Sequence, residues 1–166
     1  MSKEDAAPTA FPYFVKPQDQ SGGPGYESKM ETPAIWTQLE FWDDKGNPYL
    51  KEYEGRGLLK DKAAIITGGD SGIGRSVAIL MAREGADVTI MYLPDEQEDA
   101  DWTIKMIEKA GRKGHGIAGD VKDHGFLKKA VDEHLKVHNN RLNILVNNGE
   151  FGKMASITLS SCTDHV

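Results

Sequence analysis

The chain has 166 residues, of which 39% are apolar and 28% charged, with a formal net charge of −6 at pH 7. That length suits one domain with room for an arm, and the mild acidity excludes the basic footprint of a nucleic-acid or anionic-membrane binder. No apolar run approaches a bilayer span, Met1 to Asp5 form no apolar targeting core, and Cys162, the single cysteine, excludes a disulfide framework, so a soluble, reducing, cytoplasmic location is expected.

Residues 1–57 differ from the rest. They carry prolines, the run Ser21-Gly22-Gly23-Pro24-Gly25 and no sustained period. Such composition suits a disordered tail. Nine of the 13 aromatics lie here, however, among them Phe11, Tyr13, Phe14, Trp36, Phe41 and Trp42. Large rings gain by burial, so an extended arm packed on the domain or on a neighbouring subunit is the better reading. Asp44 to Pro48 reads as a turn, and Gly55-Arg56-Gly57 marks a boundary.

From Lys62 the pattern is regular. Ala63 to Thr67 is a short apolar run, as in a strand covered on both faces. Ile73, Val77, Leu80 and Met81 form a helical stripe, and Gly85 is a left-handed stop. Val88 to Tyr92 is a second strand. Pro94 to Asp99 is an acidic loop and helix start, where negative charge suits the helix dipole. Trp102, Met106, Ile107 and Ala110 face the next helix inward, and Gly111 ends it. Gly116 to Ala118 is a third strand. Phe126, Leu127, Ala130, Val131 and Leu135 mark a third helix, and Leu142 to Val146 a fourth strand. The alternation predicts an α/β fold, a doubly wound parallel sheet of Rossmann type in the order 3-2-1-4.

From the end of the first strand into its helix runs Thr67-Gly68-Gly69-Asp70-Ser71-Gly72-Ile73-Gly74-Arg75. Phosphate binding needs a sharp turn, close backbone approach and helix N–H groups aimed at the charge. Gly68, Gly72 and Gly74 meet the first two needs, the helix from Ile73 meets the third, and Ser71 adds a hydroxyl. The alternative is a glycine-rich turn without a ligand, but the strand before and the helix after favour a dinucleotide. No Gly-Lys-Ser/Thr is present, so the P-loop reading fails. His134 and His138 share a metal-compatible spacing, yet their charged neighbours make a solvated helix flank the expectation. Cys162 with His165 lacks further ligands, so no metal site is expected.

The glycine motif, Gly119-Asp120-Val121 after the third strand and Asn147-Asn148-Gly149 after the fourth resemble the short-chain dehydrogenase/reductase family, in register across Leu58 to Gly149. The Pro/Gly-rich arm, with Gly25 to Met30, is similar to that of its N-terminally extended general-stress and glucose/ribitol-dehydrogenase-like subgroup. The resemblance implies NAD or NADP as cofactor and a binding set of Gly68, Asp70, Ser71, Gly72, Ile73, Gly74, Tyr92, Leu93, Asp120, Val121 and Asn147. Asp120 and Val121 would hold the adenine edge, or Asp120 would be a turn or cap residue. Asn147 would line the ribose and brace the sheet, or satisfy local backbone. The second strand ends in Met91-Tyr92-Leu93-Pro94, without the acidic ribose reader and without a following cation, a pattern leaning to NAD.

The family's chemistry rests on a Tyr-x-x-x-Lys pair and an upstream Ser. A nearby Lys lowers the Tyr pKa so that it can exchange a proton at the carbonyl oxygen. The last tyrosine of this chain is Tyr92, and no tyrosine has a Lys four residues on. Gly149 directly after Asn148 and the Ser/Thr-rich stretch to Val166 also depart from the family pattern, as in a splice variant, frameshift or truncated gene model. The resemblance therefore implies the cofactor-binding portion of an oxidoreductase, without catalytic residues and inactive alone. The alternative is a non-catalytic nucleotide-binding or interaction protein, with full-length homologous subunits as partners.

Overall fold

The structure, a computed structural model, describes residues 9–11 and 34–149. Most of the proline-rich arm and the stretch from residue 150 to 166 lie outside the described residues, as do Tyr13, Phe14, Gly25 to Met30, Cys162 and His165.

Four strands form a parallel sheet: β3 (Ala63–Thr67), β4 (Asp87–Tyr92), β5 (Gly114–Ala118) and β6 (Ile144–Val146). They lie in the order β5-β4-β3-β6, which is the expected 3-2-1-4. The helices α1 (Gly72–Arg83), α2 (Gln97–Lys109) and α3 (His124–Val137) cross between them. Ile66, Val88, Ile90 and Tyr92 pack with Ala78, Ala82, Ala100 and Ile107 of α1 and α2. Ile65, Met91 and Ile117 pack with Ala130, Phe126 and Leu127 of α3 on the opposite face. Because both faces are covered, β3 and β4 are buried at every position, the physical reason they read as continuous apolar runs. Gly85 and Gly111 take positive φ values of 99° and 76° just beyond α1 and α2, the left-handed stops their positions imply.

Three helix faces differ from expectation. The buried line of α1 is Gly74, Ala78 and Ala82, with Arg75 and Ile79, and Ile73 is 77% exposed. Small residues at i, i+4 and i+8 let the helix approach the sheet closely, so the larger Val77 and Met81 sit at the flank of the core. Trp102 and Val131 are likewise partly exposed, at 42% and 37%, while Thr103 is fully buried.

The largest correction concerns His134 and His138, which are buried under the sheet, not on a solvated flank. Their rings lie 4.6 Å apart, joined through Thr89 of β4. His134 Nε2 must donate to the Arg141 carbonyl at 2.9 Å, so its Nδ1 accepts from the Thr89 hydroxyl at 2.7 Å. Thr89 Oγ1 then accepts from His138 Nε2 at 2.9 Å. This relay satisfies Thr89 on an otherwise apolar face and leaves only His138 Nδ1 of the three groups without a partner.

Ahead of the sheet, β1 (Gln38–Trp42) and β2 (Pro48–Glu52) form an antiparallel hairpin, an element the sequence reading treats only as extended arm. Its turn is organised by Asp43, whose carboxylate accepts from the Lys45 and Asn47 N–H groups at 2.9 and 2.7 Å. A lone two-stranded hairpin is marginal in water. Here Arg83 of α1 and Glu84 just beyond it anchor the hairpin: Glu52 accepts from Arg83 as well as from Thr37, and the Tyr53 hydroxyl donates to Glu84. Glu84 also accepts the N–H groups of Arg56 and Leu58. Thr9 and Ala10 donate to Glu40 of β1.

Candidate functional site

An open cleft of about 1100 Å³ lies at the carboxyl ends of the parallel strands. β3 continues to β4 on one side and is flanked by β6 on the other, so the strand order reverses here. In open α/β sheets this is where ligands bind. Its lining includes Thr67 and Gly68 at the end of β3, Met91, Tyr92 and Leu93 at the end of β4, and Gly119, Val121, Asn147 and Asn148 from the loops after β5 and β6.

The turn after β3 opens α1 toward this cleft. Gly68 and Gly72 hold φ of 61° and 55°, the left-handed region that side chains disfavour. The Gly68 N–H donates to the Met91 carbonyl at 2.7 Å, pinning the turn to β4. Around Gly72 the space for a side chain is open, so the backbone is bare toward the cleft. Gly74 acts differently: a Cβ there would overlap the Gly68 carbonyl and lie 2.6 Å from Asn148 Nδ2. Its bareness seats the helix on the strand. α1 carries no acid in its first turn, and its N-cap, Ser71, makes no side-chain capping bond.

Two buried or half-buried carboxyls stand on the cleft wall. Asp70 is 2% exposed. Burial raises its pKa, and the charge of Asp99 adds to this against a hydrogen bond from Ser71. Glu96 is raised by burial and by the charges of Asp70, Asp99 and Asp95, while its carboxylate accepts the Leu93 N–H at 3.0 Å. The Tyr92 phenol donates to Gln97 at 3.0 Å, and burial raises its pKa.

The structure brings Gly68, Asp70, Ser71, Gly72, Ile73 and Tyr92 to one cleft, together with Leu93, Val121 and Asn147. Gly74 lies behind the turn, and Asp120 stands outside the lining. The Asp120 carboxylate accepts the Lys122 N–H at 2.9 Å and its carbonyl accepts the Asp123 N–H, the arrangement of a turn residue. The bracing role falls to Asn148 rather than Asn147. Asn148 Nδ2 donates to the Thr67 and Gly68 carbonyls at 3.1 and 3.0 Å. Thr67 Oγ1 accepts the N–H groups of Asn148 and Gly149 at 3.0 and 2.9 Å. Glu96 and Lys122 carry no sequence signal, while Thr67 and Asn148 stand in the sequence only as members of their motifs, without a role of their own. The paired Asn147-Asn148 was the available signal for one of them.

Residues 62–164 match the family model described as short chain dehydrogenase. General stress protein 39 of Bacillus subtilis is 42% identical over 83% of this chain and 43% of its own length. The chain spans between 35 and 43% of the length of the first curated relatives it matches. A short chain dehydrogenase from Burkholderia cenocepacia, solved in complex with NADP, superposes with a TM-score of 0.55 at 36% identity, covering 61% of this chain and 42% of that one. One from Mycobacterium paratuberculosis, bound to NAD, superposes at 0.52 with 32% identity, covering 55% and 38%. The chain belongs to the short chain dehydrogenase family.

Proposed function

We propose that this chain is the nicotinamide-dinucleotide-binding portion of an oxidoreductase, and that hydride transfer between the nicotinamide and an alcohol or carbonyl belongs to a longer polypeptide. The observation that carries the reading is the bare turn at Gly72, opening the acid-free N-terminus of α1 onto a cleft at the strand-order reversal. The group fits: backbone N–H groups and the helix dipole suit a pyrophosphate. Gly68, Ser71, Gly72 and Ile73 would hold the pyrophosphate, Val121 the adenine, and Asn147 the ribose. The bound nicotinamide would supply the hydride acceptor or donor.

The wall carries Asp70 and Glu96, and no Lys or Arg occurs from Met91 to Asp101. A 2′-phosphate beside two carboxyls would be repelled, which favours NAD over NADP against Lys122, the one cation among the described lining residues. Calorimetric titration of the full chain tests both parts. Saturable NADH binding at least tenfold tighter than NADPH is expected. Equal affinities would overturn the preference for NAD, and no binding of either would overturn the reading.

A further inference from the structure

We propose that Arg75 is a positioning residue for the dinucleotide turn, held by Asp99, Thr103 and two indoles, and that it ties the segment preceding β1 to that turn. The proposal rests on the dinucleotide reading above.

The carbonyl of Asp70, at the apex of the turn, accepts two buried hydrogen bonds: from Arg75 Nε at 2.7 Å and from Thr103 Oγ1 at 2.9 Å. Arg75 Nε also reaches Thr103 Oγ1 at 3.0 Å. The other end of the guanidinium pairs with Asp99 Oδ1 at 2.8 Å and reaches the Asp99 carbonyl at 3.3 Å. Arg75, Asp99 and Thr103 are each at most 5% exposed. The guanidinium lies 4.7 Å from the Trp102 ring and 5.5 Å from that of Trp36, which precedes β1. Both distances fall within cation–π range.

A buried ion pair is weak evidence for stability. Its geometry says more here, because a planar fork with fixed donors is a rigid spacer between α2 and the turn. One peptide carbonyl of the turn takes two donors from two helices, which fixes the orientation of the adjacent peptide units. Those units present the N–H groups expected to meet the phosphates. A displacement of the turn would weaken pyrophosphate contacts and leave the adenine pocket at Val121 untouched.

The test uses three variants of the full chain. T103V keeps the side-chain shape and removes one donor to Asp70. R75K keeps the charge opposite Asp99 and loses the fork. W36L removes the outer ring. Binding of ADP-ribose is measured by calorimetry and of adenosine by NMR titration, and amide hydrogen exchange is followed in the ligand-free chain. T103V is expected to weaken ADP-ribose about 2–10-fold and R75K about tenfold or more, with W36L about 2–5-fold. Adenosine affinity stays within twofold, and exchange accelerates at Gly68 to Gly74 while β3 and β4 stay protected. Equal losses for both ligands, or unchanged turn exchange with only a lowered Tm, would overturn the proposal. If the wild-type chain binds no ADP-ribose, the dinucleotide reading fails, and turn exchange still decides whether Arg75 holds the turn.

Discussion

Gly74 of α1 packs so closely on Gly68 that a methyl group added to it would overlap the Gly68 carbonyl oxygen and come within 2.8 Å of the carbonyl carbon. The backbone offers no relief, because Asn148 Nδ2 holds that same carbonyl at 3.0 Å. Gly74→Ala is therefore expected to push α1 off the turn, abolish NADH binding and destabilise the fold by about 1–3 kcal/mol, the usual scale of overpacking. Calorimetry and a denaturant melt read both effects, and wild-type values in both would refute the packing role.

Gly72→Ala separates conformation from packing. The added methyl meets nothing within 4 Å, but φ stands at 55°. Stability should fall by about 1–2 kcal/mol from the left-handed backbone alone, while NADH affinity drops through crowding of the cleft. A Gly72→Ala chain as stable as wild type would show that the turn readily adopts another conformation.

How far these sites were legible depends on where their cause lies. The strands, the glycine turn and the two helix stops follow from local pattern, because each is dictated by the residues that form it, and the strand order follows from the doubly wound topology. Asn148 was missed as a brace because its partners, Thr67 and Gly68, are about eighty positions away. His134 reads as solvated because a titratable residue near polar neighbours does so in sequence, and Arg75 stands there only as the end of the glycine motif. Only the tertiary fold supplies Asp99, Thr103 and Thr89 as buried partners. The hairpin escaped notice because its strands place Leu39, Phe41 and Tyr49 on an exposed face, against the usual alternation signal.

The buried imidazoles make stability depend on pH. Burial, then the neighbouring His134, lowers the His138 pKa from 6.5 to about 4, and burial lowers that of His134 as well. The other charges acting on His138 are Asp87, which opposes the shift, and Lys113 and His115, which support it. Well above pH 6.5 both folded and unfolded imidazoles are neutral, and the stabilisation is complete. As pH falls from 6.5 toward 4 the unfolded chain binds a proton the folded chain does not, so stability declines by up to about 3 kcal/mol. Urea melts across that window check it. His138→Gln should flatten the profile, and an unchanged slope in the variant would assign the decline to other groups.

Among the described residues β6 has one sheet neighbour, β3, and Leu145 is 58% exposed. An apolar strand with a free backbone edge recruits other chains. The full chain is expected to self-associate with rising concentration in light scattering, and Leu145→Lys to suppress it. A monodisperse wild-type monomer with a cooperative melt would contradict this.

The absence of a Tyr-x-x-x-Lys pair predicts no dehydrogenase turnover by this chain. General acid–base help is worth about 10²–10⁴-fold. Nicotinamide absorbance in a preparation free of host dehydrogenases, with sugars, polyols and simple carbonyls as candidates, is expected to stay constant. Steady cofactor-dependent turnover would refute the expectation.

Dinucleotide binding at the glycine turn is read by a calorimetric titration of the folded 166-residue chain with NADH, repeated on Gly74→Ala. A single saturable site is expected in the wild type, lost in the variant. No saturable heat in the wild type, or identical isotherms in the two chains, would contradict it.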